Sequence, residues 1–148
     1  MIRSATMGVA ALITVAFALV GIVAAQTSNS AAQNPDKSVY AELGKVPSKA
    51  AARQNPLESD PEAVASGAKL FERHCAECHG VAADGGKKGP SLRVVEVQQV
   101  TPGALFWLLT NGVVRKGMPV WSRLPEPQRW QLVSYIRSLG TSETPARQ

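Results

Sequence analysis

The sequence has 148 residues and a formal net charge of +5, with 16 Lys/Arg against 11 Asp/Glu. It holds no paired carboxylates, nucleophile–base set or phosphate-binding loop, which argues against hydrolytic and phosphoryl-transfer chemistry. The positive charge comes with neither a basic helix nor an aromatic stacking platform, so nucleic acid is not the expected partner.

The first predicted element is residues 1–25. Arg3 precedes an apolar run from Met7 to Ala25 that closes on Val23-Ala24-Ala25. A charged start, an apolar centre and small residues at the end describe a secretory signal peptide, with cleavage expected after Ala25. The run is also roughly 28 Å long as a helix, the length of an uncleaved membrane anchor. No cysteine lies near the junction to take a lipid. Arg3 stands before the run and the next basic residue is Lys37, so charge asymmetry exports the rest of the chain in either case. The expected location is periplasmic, or anchored to the outer face of the cytoplasmic membrane. Residues 26–59 are rich in Ala, Ser, Asn, Gln and Pro with no sustained period, and read as a flexible linker. Within it a short helix around Tyr40 to Leu43 is conceivable, with Tyr40 docking on the domain that follows.

An ordered domain is expected over residues 60–140, with a disordered tail at 141–148. A chain of about 80 residues has little core of its own. Its first helix is signalled by Ser59-Asp60-Pro61-Glu62 and carries Val64, Ala68 and Phe71 at helical spacing. Gly67 beside them costs about 1 kcal/mol against Ala in a helix interior, which the close approach of another helix explains.

Cys75-Ala76-Glu77-Cys78-His79 follows at once, and these are the only two cysteines in the chain. The spacing C-x-x-C-H is that of a covalent haem attachment site, where each thiol forms a thioether and the adjacent imidazole lies beneath the iron. A redox dithiol of the thioredoxin kind needs a βαβ context that is absent. A tetrahedral zinc needs four ligands, and Cys75, Cys78, His79 and His74 within six residues cannot wrap one ion. A plain disulfide is chemically feasible in an oxidising compartment, and haem attachment is preferred to all three. His79 is therefore the expected proximal iron ligand, and the haem is expected to supply so much of the core that the apoprotein folds poorly.

Residues 80–100 read as loop, with turns at Gly85-Gly86 and Gly89-Pro90; Arg93 to Val100 holds a short helix or an extended segment. A second helix begins at Thr101-Pro102, runs through Leu105, Phe106, Leu108 and Leu109, and stops at Asn111-Gly112. Met118 lies beyond it in Gly117-Met118-Pro119. Met1 and Met7 belong to the N-terminal apolar run, and His74 is tethered to the same haem face as His79, so Met118 is the sixth ligand by elimination. A His/Met pair raises the potential and fills both axial positions, which suits electron passage better than substrate chemistry. The last helix begins near Pro125-Glu126-Pro127, where proline is tolerated in a first turn. It carries Trp130, Val133, Tyr135, Ile136 and Leu139 and ends at Gly140.

With these parts in this order, residues 60–140 resemble the class I c-type cytochromes. The resemblance implies an all-α fold, a small helical bundle around one covalently bound haem c with its iron. It also implies that Gly89-Pro90-Ser91-Leu92 supplies the Pro90 carbonyl that orients His79, that Leu92 packs on the haem, and that Leu132 and Tyr135 lie on a final helix crossing the first at its glycine. Phe106-Trp107, Trp121 and Trp130 are similar to short bacterial domains, some of them electron-accepting subunits of periplasmic quinoprotein dehydrogenases and others serving oxidases. The expected function is electron transfer between a periplasmic dehydrogenase or quinol-oxidising complex and a terminal acceptor. Two alternatives stand beside it, a fixed subunit of a quinoprotein dehydrogenase and a haem peroxidase working when Met118 dissociates. Between Pro61 and Gly140 there are 10 Lys/Arg and 6 Asp/Glu. Lys87, Lys88, Arg115, Lys116 and Arg123 cluster in the loops expected at the haem edge, a distribution suited to redox partners with an acidic docking face.

Overall fold

The computed structural model describes the backbone of residues 37–141 and the side chains of 40–140. The expected signal peptide or anchor, the start of the linker and residues 142–148 lie outside the described residues. Among the described residues the elements are helical and no strand occurs; a single antiparallel bridge pairs Val113 with Met118. No helix among them is long and apolar enough to cross a membrane.

Two long helices form the frame. Helix α2 (Pro61–His74) starts where the capping signal put it: the Asp60 carboxylate accepts the Glu62 N–H at 2.9 Å, and Pro61 occupies a first-turn position that needs no N–H. Helix α6 (Glu126–Thr141) likewise takes Pro127 into its first turn. The two pack along each other, and Gly67 is the point of closest approach. A Cβ at Gly67 would lie 2.0 Å from the Gln131 carbonyl oxygen and 2.9 Å from the Tyr135 Cβ. Phe71, Leu132 and Val133 are the largest side chains removed from solvent altogether, and the Phe71 and Tyr135 rings meet at 5.2 Å.

Helix α5 (Pro102–Asn111) is apolar on most of its surface and is the third wall of the core, with Leu105, Phe106 and Leu109 buried. Thr101 caps it by accepting the Ala104 N–H at 3.3 Å. Between the long helices lie single turns of helix: α3 (Ala76–His79) directly after α2, and α4 (Val95–Gln98), which settles the 93–100 region as helix rather than extended chain.

The linker expected over 26–59 needs correction at its C-terminal end. A 3-10 helix (Lys37–Lys45) and the short α1 (Ser48–Ala51) form a strap laid across the bundle. Tyr40 is buried, which agrees with the expectation that it docks. Asn55 is buried too, and its side-chain amide is bonded through both its nitrogen and its oxygen. It donates to Ser134 Oγ at 2.9 Å and accepts the Leu57 N–H at 2.9 Å, while Ser134 donates to the Leu57 carbonyl at 3.2 Å. Further anchors are the Thr101 hydroxyl on the Ala51 carbonyl at 2.6 Å and Gly103, where a Cβ would lie 2.3 Å from the Ala50 carbonyl oxygen. Composition alone read this stretch as unable to bury enough surface. The strap borrows its core from α5 and α6.

Candidate haem site

The attachment motif straddles the end of α2. Cys75 closes that helix, its N–H bonded to the Phe71 carbonyl at 2.8 Å, and its own carbonyl accepts from Cys78 and His79 at 3.1 and 2.9 Å. This single turn puts Cys75 and Cys78 three residues apart on one helical face, so both thiols serve the same side. Neither is in a disulfide. Cys75 is buried, and burial, with a smaller contribution from Cys78, pushes its thiol up to about 12. A thiol so reluctant to ionise is a poor metal ligand and a poor redox nucleophile until something changes its surroundings.

His79 is oriented. Its Nδ1 lies 2.8 Å from the Pro90 carbonyl oxygen, which can only accept, so Nδ1 carries the proton and Nε2 is left as the donor nitrogen. The segment carrying Pro90 abuts the motif closely: a Cβ on Gly89 would lie 3.1 Å from His79 Nδ1 and from the Cys78 carbonyl oxygen. Leu92, half-buried, packs against the buried cluster that includes Cys75, and its N–H bonds to the Ala83 carbonyl at 2.9 Å.

Met118 comes from the far side of the sequence. After α5 ends at Gly112, a 3-10 turn (Val114–Lys116) folds the chain back, so that Val113 and Met118 exchange two backbone hydrogen bonds of 3.0 and 3.2 Å. Met118 packs, half-buried, against the same cluster as Leu92. Sequence reasoning did not find the contact that joins its loop to the motif. The Trp121 ring lies 5.3 Å from that of His74, the residue before Cys75, and the Trp121 N–H is bonded to the Leu109 carbonyl at 2.9 Å. His74, read as a polar residue at a helix end, is a packing partner of the methionine loop. No local pattern announces a contact 47 residues away.

These residues fit a covalently bound haem. The donor set is two unoxidised thiols on one helical face, an imidazole with only Nε2 free, and a thioether, all carried by segments that meet one apolar cluster. Leu92, Met118, Trp121 and Leu124 pack against that cluster while keeping part of their apolar surface uncovered, and Val81, Val114 and Val120 are exposed. A flat apolar group covers surface of this kind. Among the described residues there is no cluster of three or more His, Cys, Asp and Glu to hold a metal ion without a porphyrin.

Charge around the site is basic and partly compensated. Lys87, Lys88, Arg115, Lys116 and Arg123 are all exposed. Lys88 pairs with Glu77 inside the motif at 2.6 Å, which lowers the glutamate and raises the lysine from their ordinary values. Glu42 of the strap, held low first by its hydrogen bond with Lys45, also feels the charges of Lys116 and Arg115.

Comparison with known proteins bears on the family and the fold. Residues 62–136 match the family model described as cytochrome c oxidase, cbb3-type, subunit III. The chain is 30% identical over 94 residues to cytochrome c550 of Pseudomonas aeruginosa, which is 61% of this chain and 65% of that one. It is 35% identical over 75 residues to the quinohemoprotein alcohol dehydrogenase ADH-IIG of Pseudomonas putida, 49% of this chain and only 10% of that protein. The chain thus covers less than two thirds of each of these curated relatives. The crystal structure of cytochrome cL from Methylophaga aminisulfidivorans superposes with a TM-score of 0.51 at 28% identity, covering 57% of this chain and 60% of that one.

Proposed function

The chain belongs to the class I c-type cytochromes, which carry covalently bound haem c, and on that premise we propose that it is an exported one-electron carrier. The observation that supports this most is the His79–Pro90 hydrogen bond beside two unoxidised thiols, since it prepares one imidazole nitrogen for one iron. Bound here, the haem supplies a Fe(III)/Fe(II) couple. Cys75 and Cys78 would anchor the porphyrin, Pro90 orients His79 and would raise its basicity as a ligand, and Leu92 would pack on the haem. Met118 would hold the iron through its thioether. With Met118 as well as His79 holding the iron, water and small ligands would be kept from it, and this would separate a carrier from a peroxidase.

An optical spectrum of the matured protein with and without carbon monoxide tests the assignment. The reduced wild type is expected to be low-spin and indifferent to carbon monoxide, and Met118→Ala to bind it. Binding by the wild type would mean an open site and hand the function to the peroxidase reading.

The partner we propose is a redox protein with an acidic docking face, met by the exposed Lys87 and Arg123 together with the partly compensated Lys88, Arg115 and Lys116. The likeness to part of a quinohemoprotein alcohol dehydrogenase favours, as a second reading, a fixed place beside a dehydrogenase of that kind. Export follows the charge asymmetry around residues 7–25, with the protein periplasmic or held at the outer face of the membrane.

A further inference from the structure

We propose that Tyr40 is a positioning residue for His79: its hydroxyl, bonded to the Ser91 carbonyl, holds the 89–92 segment so that the Pro90 carbonyl stays on His79 Nδ1. The inference rests on reading His79 as the iron ligand and concerns what keeps that ligand in place.

The Pro90 carbonyl belongs to a segment without regular structure, so something must fix it. Most of the bonds that do so arise within the same loop: Gly86 N–H to the Gly89 carbonyl at 2.8 Å, Leu92 N–H to Ala83 at 2.9 Å, and the Ser91 hydroxyl to Ala83 at 3.4 Å. A loop tied to itself still moves as a body. Besides the Gly85 N–H on the His79 carbonyl at 2.8 Å, two side chains restrain its 89–92 part from outside. Gln98 in α4 donates to the Leu92 carbonyl at 2.7 Å, and Tyr40, 51 residues away in the strap, donates to the Ser91 carbonyl at 3.0 Å. Ser91 follows Pro90 directly, so its carbonyl is one rigid peptide unit beyond the one that receives His79, with two soft dihedrals between them. The Tyr40 side chain is only 7% exposed, so water competes poorly for its hydroxyl and the bond is shielded.

The consequence reaches the iron through ligand basicity. A short Nδ1–H···O=C bond gives the imidazole more electron density to donate, which favours the ferric state. Loosening the 89–92 segment weakens that bond, makes the Nδ1 proton easier to lose to solvent, and raises the potential.

Tyr40→Phe removes the hydroxyl and keeps the ring. In the haem-loaded protein, exchange of the His79 Nδ1 proton into heavy water is followed by NMR alongside the reduction potential. Leu108→Val, in α5 and outside the buried cluster that holds Tyr40, serves as a variant that lowers overall stability without touching this path. The expected result is a roughly 2- to 12-fold faster proton exchange in Tyr40→Phe, the factor for one net hydrogen bond, with a raised potential and an unchanged low-spin spectrum. Leu108→Val should leave exchange and potential where they were. Exchange and potential at wild-type values in Tyr40→Phe overturn the proposal while the ligand assignment stands, and equal acceleration in both variants overturns it as mere loss of stability. A wild type that shows no protected His79 Nδ1 proton overturns the reading of His79 as the ligand and the proposal with it.

Discussion

At Gly67 a single hydrogen decides how closely two helices approach. A methyl group there would lie 2.0 Å from the Gln131 carbonyl oxygen, a backbone atom that no rotamer change can move aside. Two effects of opposite sign compete in Gly67→Ala. Helix propensity favours alanine by about 1 kcal/mol, and overpacking at a backbone contact costs roughly 3 kcal/mol. The clash wins, so Gly67→Ala should be destabilised by about 2 kcal/mol, seen as a lower urea midpoint. Gly44 in the strap has nothing within 4 Å of its Cβ position, and Gly44→Ala should leave the midpoint nearly unchanged. Equal midpoints for the two variants would show that α2 and α6 do not touch as described.

Among the elements, the strap separates what the sequence discloses from what it conceals. The Asp60 and Thr101 caps, the first-turn prolines of α2, α5 and α6 and the C-x-x-C-H spacing are local signals, and the three long helices they announced are found. The strap carries no such signal. Its 3-10 helix and α1 are short, and its stability resides in partners far along the chain: Asn55 with Ser134, Tyr40 with Ser91, and Arg53 with Glu126 at 2.6 Å. Arg53 also lies over the Phe106 and Trp130 rings, which stack at 4.1 Å, so one side chain ties the strap to α5 and α6 together. The Arg53–Glu126 pair is exposed and contributes little to stability, yet it gives the strap a pH dependence. Glu126 is held below its ordinary value of 4.5, first by the Arg53 hydrogen bond and then by that of Trp130. A lowered carboxylate adds stability that is present above 4.5 and lost as pH falls through the folded value. Hydrogen-exchange protection of residues 48–56 should therefore fall below pH 4.5 in the wild type. In Glu126→Gln it should start lower, by no more than roughly fivefold, and show less of that fall. Parallel pH curves in the two proteins would remove Glu126 from the account.

For the molecule as a whole, the acidic partner proposed above would make charge govern encounter. The domain's excess of basic residues was readable from sequence, but its distribution was not: Glu77 offsets Lys88, and Glu42 lies near Arg115 and Lys116. Steering should therefore be weaker than five uncompensated cations would give, and still present. Electron transfer to an acidic partner is expected to slow as ionic strength rises toward 0.15 M, where screening lengths shorten to about 8 Å. Replacing Glu77 by Gln should steepen that dependence, since it frees Lys88. A rate that ignores salt in both proteins would leave a fixed complex as the better description of how this chain meets its partner.

The small hairpin closed by Val113 and Met118 has a kinetic meaning as well. Both backbone groups of the methionine are already spoken for by Val113, so its position is set before any electron arrives. As the proposed iron ligand, a thioether carried on so constrained a backbone would have little distance to travel when the charge beside it changes by one. The nuclear rearrangement that must accompany each electron, and that otherwise limits its rate, would then be kept small in advance.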